Sequence, residues 1–432
     1  MAIRSPRAAA ATTAAALSLA LASSEVQAAG FSVFEQGARG MGFAGAYTAQ
    51  SQDPSAIFHN AAGIAFLKGK RIYFGGTLVK PYSDFTGADP YPGAGRTETG
   101  DVGVIPLPAI YYSQPFSDRL TFGLGVNAPY GLKTQWANPD TYSGRYISTV
   151  ADLKSVSINP VVAYKLEDRL AVAAGVDVRF SKVSLARRVP TVNPFTLKVI
   201  DVAEVDLTSD WNTGIGFNLG VLAKPTEKLS VGASYRHKVK VDYTGAATFN
   251  QISSGNATLD GLVQQTLPQG SQSLETGIEF PGIATVGAAY ALDNWTFEAD
   301  LVWFQWSTFD SLQLKFPDRP SLDETIPQAY TNVFQYRFGL ERRISDRWAV
   351  RGGYFYDNSP SPAASVSPLL PDADRHGFAL GATWRRGNLN LDLASWYLRF
   401  KDRSTEGLNR DHYDGTYQSK AITFGASLGY SF

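Results

Sequence analysis

The chain closes on "AITFGASLGYSF", residues 421–432, and the parity of these twelve residues decides the fold. Ile422, Phe424, Ala426, Leu428, Tyr430 and Phe432 share one parity; Thr423, Gly425, Ser427, Gly429 and Ser431 share the other. A strand sends alternate side chains to opposite faces. One face of this strand is therefore apolar and the other small and polar. A soluble sandwich would turn the apolar face to a core, and a membrane barrel would turn it to lipid.

The rest of the chain selects the barrel. Residues 170–180, "LAVAAGVDVRF", put Leu170, Val172, Ala174, Val176, Val178 and Phe180 on one face, with Ala173, Gly175, Asp177 and Arg179 on the other. Residues 376–384, "HGFALGATW", repeat the pattern with Phe378, Leu380, Ala382 and Trp384. From Arg71 onward such runs are joined alternately by very short and by long connections. The short ones are turn-forming: Ser117–Arg119, Glu167–Arg169, Thr226–Lys228, Asp293–Asn294, Ser345–Arg347 and Gly387–Asn388. Longer loops lie near 86–104, 131–149, 189–200, 247–276, 317–331, 359–374 and 402–416. This layout predicts an all-β fold, an antiparallel transmembrane barrel of about fourteen strands.

Composition agrees. The 432 residues carry a formal net charge of zero, which does not point to nucleic acid. There is no cysteine, so disulfides and thiolate chemistry are excluded. The chain is 44% hydrophobic, yet its mean hydropathy is −0.14, far below that of a helical membrane protein. Glycine and aromatic residues are plentiful, as strands, tight turns and membrane interfaces require.

The first 28 residues read as a signal peptide. Arg4 and Arg7 form a basic start, Ala8 to Ala22 is apolar, and Val26 and Ala28 fit a signal peptidase site. The apolar run is shorter than the ~20 residues a spanning helix needs. Residues 29–68 are rich in glycine and alanine and do not alternate, which predicts a compact, partly helical N-terminal segment ahead of a barrel over 69–432.

Residues 29–49, "AGFSVFEQGARGMGFAGAYTA", and 53–69, "DPSAIFHNAAGIAFLKG", resemble the start of FadL/TodX-type outer-membrane transporters of long-chain fatty acids and other hydrophobic compounds. The resemblance continues in "VNAPYGLKTQW" and "YSGRYISTVADLKSVSINPVVAYKL" and covers the mature chain. Terminal Phe432 resembles the C-terminal aromatic that such barrels present to the barrel assembly machinery. The resemblance implies a monomeric barrel in the outer membrane of a Gram-negative bacterium, surrounded by lipid and lipopolysaccharide. Residues 29–68 would fold inside it as a hatch. Ligand would be caught outside, pass to an apolar pocket in the lumen, and leave sideways through the wall. Where the family hatch carries Asn-Pro-Ala, this chain has Asn60-Ala61-Ala62, followed by Gly63; losing the proline restores an N–H and loosens φ.

Ligand-binding candidates follow. Phe31 matches a family pocket residue, or only plugs the barrel. Parity from Asp177 and Arg179 turns Leu185 and Arg187 inward, an apolar wall beside a cation for a carboxylate, and both match family pocket positions; the other reading is an ordinary lumenal arginine paired with an acid. Lys315 resembles a second pocket cation, provided that a bulge within 305–310 turns it inward. Trp136, Tyr142 and Tyr146 would line an outer capture groove or belong to an aromatic girdle.

Hairpin counting from the turn at Asp118 sets Pro108 opposite Ala128, beside Pro129, with Pro106 two residues along. Proline has no N–H for a ladder, and an unpaired backbone group facing hydrocarbon costs several kcal/mol. The prolines therefore predict an open ladder, a strand kinked inward at 127–130, and a lateral gap with the hatch around Asn60, Ala62 and Gly63 behind it. Alternatively they sit above the membrane, where the strands splay toward their loops.

A transporter for hydrophobic molecules is the main expectation, with long-chain fatty acids or monoaromatic and alkane hydrocarbons as substrates. The alternatives are a general porin, which needs no plug, and a structural or adhesive barrel. No enzyme, cofactor, catalytic residue or metal is expected. The four histidines, His59, His237, His376 and His412, show no ligand spacing, and no nucleophile motif stands out.

Overall fold

The protein is described by a computed structural model covering residues 30–50, 52–268 and 270–432. The expected signal peptide, residues 1–28, lies outside them. Fourteen wall strands form one closed antiparallel barrel. They are β1 (Arg71–Gly87), β2 (Ile105–Pro115), β3 (Leu120–Asn127, resumed as Gly131–Gln135), β4 (Val150–Glu167) and β5 (Leu170–Val192). Next come β6 (Val199–Ser209 and Asn212–Ala223), β7 (Leu229–Arg236 and Val239–Gln251) and β8 (Ser271–Phe280 and Ile283–Leu292). The ring is completed by β9 (Trp295–Phe304), β10 (Val333–Arg343), β11 (Trp348–Asp357), β12 (Arg375–Arg386), β13 (Leu389–Phe400) and β14 (Gly415–Ser431). The strands are joined by the expected short turns at one end and long loops at the other.

Closure is made by the strand that decides the fold. β14 pairs with β1 over its whole length, from Arg71↔Ser431 to Gly87↔Gly415. Its apolar parity faces outward: Ile422, Phe424, Tyr430 and Phe432 are exposed. The small, polar parity faces a packed interior. Ser427 Oγ accepts the Ala38 N–H at 3.1 Å. A Cβ on Gly425 would lie 2.6 Å from Met41 Sδ.

That interior is the N-terminal segment, buried almost throughout residues 31–65. It contains α1 (Ala38–Gly42), α2 (Ala56–His59) and a 3₁₀ turn (Ala61–Phe66). Wall carboxylates dock it. Asp300 Oδ2 accepts the Tyr47 and Thr48 N–H groups, both at 3.0 Å, and Glu298 Oε1 accepts that of Ala49 at 2.6 Å. Arg39 meets Glu341 at 2.7 Å, and the same carboxylate is shared by Arg351. Each of these buried groups thus has a partner, without which its burial would be costly.

Asn60 ties the hatch to another part of the wall. Its Nδ2 donates to the Thr48 and Val221 carbonyls, both at 2.9 Å. Two wall glycines make room: a Cβ on Gly220 would lie 2.3 Å from Asn60 Oδ1, and one on Gly232 only 2.2 Å from the Thr48 carbonyl oxygen. Asn60 Oδ1 also accepts the Ala62 N–H at 3.2 Å, so a side-chain cap holds the turn where the family carries proline.

Candidate functional site: a window in the wall and the cavity behind it

The β2–β3 ladder runs from Pro115↔Thr121 to Ile110↔Val126 and ends there. Above it the outward faces of Pro106 and Pro108 are exposed, while β2 keeps its pairing with β1 up to Val79↔Ile105. On the other side β3 leaves the wall. Between Val126 and Gly131 it advances five residues while β4 advances four, from Ile158 to Lys154. The extra residue is a bulge that pushes Ala128 to Tyr130 inward. Higher up the wall closes again through the bridge Gly100↔Trp136 and the bonds Asp101 N–H to Gln135 O (2.7 Å) and Ala137 N–H to Thr99 O (3.0 Å). The gap is therefore a bounded window. The alternative, strands merely splaying toward their loops, does not describe it.

The hatch start fills the ladder that β2 abandons. Ser32 forms a bridge with Tyr130. Val33 N–H donates to Pro129 O at 2.9 Å, Gly131 N–H donates to Phe31 O at 3.0 Å, and Gln36 Nε2 donates to Ala128 O at 2.7 Å. Ser155 of β4 takes the Tyr130 N–H at 3.2 Å and gives its hydroxyl to Tyr130 O at 2.6 Å. Backbone groups that would cost several kcal/mol if left bare in hydrocarbon are thereby bonded.

A cavity of about 590 Å³ crosses this window. Inside the barrel it is lined by Phe31, Tyr130, Leu370 and Leu398; outside it reaches Pro106, Tyr82 and Val156. Phe31 sits in an aromatic box, 4.8 Å from Trp306, 5.4 Å from Phe309 and 6.0 Å from Phe280 between ring centroids. Tyr130 is held from below by the Arg179 guanidinium, 4.7 Å from its ring. The polar end of the cavity holds Glu35, Asp372 and Arg375. Arg375 is bonded to Asp357 at 2.8 Å. Asp372, on the loop before β12, accepts from Gly30 N–H (3.2 Å) and Ser359 Oγ (2.8 Å). Burial outweighs these bonds and pushes its carboxyl up to about 6.

Of the residues expected at the site, Phe31, Pro108 and Ala128 line this cavity, and Pro129 holds the hatch start. Others lie elsewhere. Leu185 and Arg187 do point inward, but above the cavity, and Arg187 is bonded to Glu324 at 2.8 Å with both side chains more than a third exposed. Lys315 faces solvent. Parity is kept across the 3₁₀ turn at Trp306–Thr308: even-numbered Val302 and Phe304 are buried before it, as Leu312 and Leu314 are after it, where residues 311–314 pair with 324–327 in a hairpin of their own sheet. Leu312, Leu314 and Phe316 point inward, and Lys315 is turned out.

Trp136 lines no outer groove. It is buried, stacked on Tyr142 with centroids 5.0 Å apart, and its Nε1 donates to Pro368 O. Tyr146 is occupied with Asp201, at 2.8 Å, and stacks under Arg145. Asn60, Ala62 and Gly63 do not stand behind the window either: Asn60 lies against β6 and β7, its turn packs against β4, β5 and β6, and residues 31–36 take that place. The sequence signal for this was available in Pro129–Tyr130 beside a hatch start rich in aromatics. For Asp372 there was none, since loop burial leaves no periodicity, whereas Arg375, the first residue of β12, shares the inward parity of Ala379 and Thr383.

A hatch-filled barrel with an apolar cavity opening through its side defines an outer-membrane transport barrel. The chain belongs to the family described as "Outer membrane protein transport protein (OMPP1/FadL/TodX)", which matches residues 19–432. It is 25% identical over 443 residues to a long-chain fatty acid transport protein of Escherichia coli O6:H1, covering 96% of this chain and 97% of the relative. It is 26% identical over 467 residues to outer membrane protein P1 of Haemophilus influenzae, covering 96% and 98%. The fold resembles the crystal structure of a Pseudomonas aeruginosa FadL homologue (TM-score 0.81, 22% identity, 94% of this chain and 100% of the other). It also resembles the Pseudomonas putida toluene transporter TodX (TM-score 0.73, 18% identity, 93% and 99%). The protein resides in the outer membrane of a Gram-negative bacterium.

Proposed function

We propose that this protein carries long-chain fatty acids or other hydrophobic compounds across the outer membrane, from outside into the lumenal cavity and then sideways through the β2–β3 window. The observation that carries the reading is the cavity itself, whose lining includes residues of both the inner and the outer face of the wall. A water-filled porin has no use for such a path, because its solutes stay in the lumen. Residues 29–68 act as the hatch that keeps solutes from leaking past.

A second reading concerns the ligand. Within the barrel, the cation lining the cavity, Arg375, is bonded to Asp357 and accompanied by Glu35 and Asp372. This favours uncharged hydrocarbons or protonated fatty acids over free carboxylates, which would meet more acid than base. The test is uptake by a deletion strain complemented with this gene, offered radiolabelled oleate or toluene. Restored uptake of neither, with barrel present in the outer membrane, overturns the transport reading. The ratio of the two rates decides the ligand class.

A further inference from the structure

The outer face carries a second feature beside the mouth of the window, sharing Tyr82 and Lys420 with the outer end of the cavity. β13, β14 and β1 lie side by side, and the pairings Arg399↔Lys420 and Tyr82↔Lys420 place these three residues in one row across the wall. Arg399, Lys420 and Tyr82 are exposed, on the parity of lipid-facing Phe424, Tyr397 and Leu78. Lys80 lies two residues along β1. The Lys80 and Lys420 ammonium groups each stand 5.3 Å from the centre of the Tyr82 ring.

Arg399 and Lys420 are like charges directly opposite each other on a ladder, an arrangement that is destabilising by itself. Neither has a carboxylate within ion-pair distance among the described residues. Four other outward lysines at the same rim are treated differently. Lys154 is paired with Asp152, Lys238 with Glu279, Lys240 with Asp242 and Lys401 with Asp374. The nearest outward acids, Asp84 and Asp402, sit further toward the loops, and Asp402 accepts from Gln418. The row lies twelve residues from Phe432 at the opposite rim, about the length of a membrane-crossing strand. It therefore stands where the apolar band ends and the headgroups of the outer leaflet begin.

We propose that Arg399, Lys420 and Lys80, around Tyr82, form a binding site for the phosphorylated glucosamine headgroup of a lipopolysaccharide molecule, whose acyl chains lie along Ile422, Phe424 and Leu78. Charge complementarity selects the occupant. An anionic lipid in the outer leaflet offsets the Arg399–Lys420 repulsion, accepts charge-assisted bonds and leaves its chains on the apolar face below. This inference needs only the barrel and its membrane, and stands whether or not the transport reading holds.

The test is native mass spectrometry of the full mature protein, mixed with bis-phosphorylated lipid A or with lipid A stripped of phosphate. Bound bis-phosphorylated lipid A is expected on the wild type, with occupancy falling roughly tenfold in the R399S/K420S variant, the scale of one lost charge-assisted bond. Heat-modifiable gel migration verifies that the variant barrel is folded. A K420R variant should retain the lipid. Equal occupancy by the two lipid forms, or an unchanged double variant, overturns the proposal. So does full competition by inorganic phosphate at matched concentration, which would make the site one for free anions. Should R399S/K420S fail to fold, the single variants K80S and K420S carry the same measurement. No loss in either would overturn it.

Discussion

Val33 donates its backbone N–H to the carbonyl of Pro129 at 2.9 Å, and through this bond the hatch stands in for the strand that the wall lacks. β2 offers exposed prolines on one side of the window, and β3 has moved inward on the other. The proposed lateral path would be lined by hatch backbone and by the small side chain of Ala128, which is 7% exposed beside the cavity. Ala128→Arg is expected to lower oleate or toluene uptake at least tenfold. Ligand retained by the purified variant and its heat-modifiable migration should match wild type. Normal uptake in this variant would rule out the window as the exit.

Arg187 and Lys315 lead to a second expectation. Neither lines the cavity; one is held by Glu324 in a solvent-screened pair and the other faces water. Such exposed pairs contribute at most about 1 kcal/mol. Arg187→Ala and Lys315→Ala should therefore change the affinity for a fatty acid by less than about fivefold, with the same small change for a neutral hydrocarbon of similar length. A large loss confined to the fatty acid, read by isothermal titration, would restore them as ligand cations.

Asp300 holds the Tyr47 and Thr48 N–H groups together. Asp300→Ala leaves two buried donors bare, at about 1–3 kcal/mol each. The hatch should loosen while the wall, whose ladder is untouched, stays closed. Single-channel recordings in planar bilayers are expected to show larger or flickering ion currents. A trace identical to wild type would mean that this segment does not seal the lumen.

Asp372 gives the loop before β12 a pH dependence. Burial raises its carboxyl from 3.8 to about 6, so the folded loop holds the proton more tightly than the open one. Its contribution is then fully present below pH 3.8 and fades as pH rises through about 6. Hydrogen exchange over residues 359–374 should be slower at pH 5 than at pH 7.5 after correction for intrinsic rates. Asp372→Asn should flatten that difference. Equal protection at both pH values in the wild type would show that the loop does not open with this proton.

How far the sequence reaches can be judged residue by residue. Alternation repeated from strand to strand, with short turns at one end and long loops at the other, pointed to a barrel, because a period of two is local and lipid demands apolar side chains on one face only. The prolines at 106, 108 and 129 located the window for the same kind of reason: a residue without an N–H cannot continue a ladder wherever the chain folds. Parity also turned Leu185 and Arg187 inward, as observed. It could not say at what height they stand or that Glu324 would reach Arg187, since that partner comes from a loop more than a hundred residues away. Parity runs unbroken from β9 through the 3₁₀ turn, so Lys315 shares the outward side of Leu301; the sequence misled because the apolar run Leu312, Leu314 and Phe316 faces the interior and not lipid. The hatch register was likewise beyond reach: Asn60 lies against β6 and β7, and Val33 lies behind the window, because glycines at 220 and 232 admit one contact and the bulge at 128–130 receives the other. The wall was thus determined by the sequence alone, through short-range alternation and obligatory backbone bonding. The site was decided only by tertiary structure, because its contacts depend on how segments far apart in the chain meet inside the barrel.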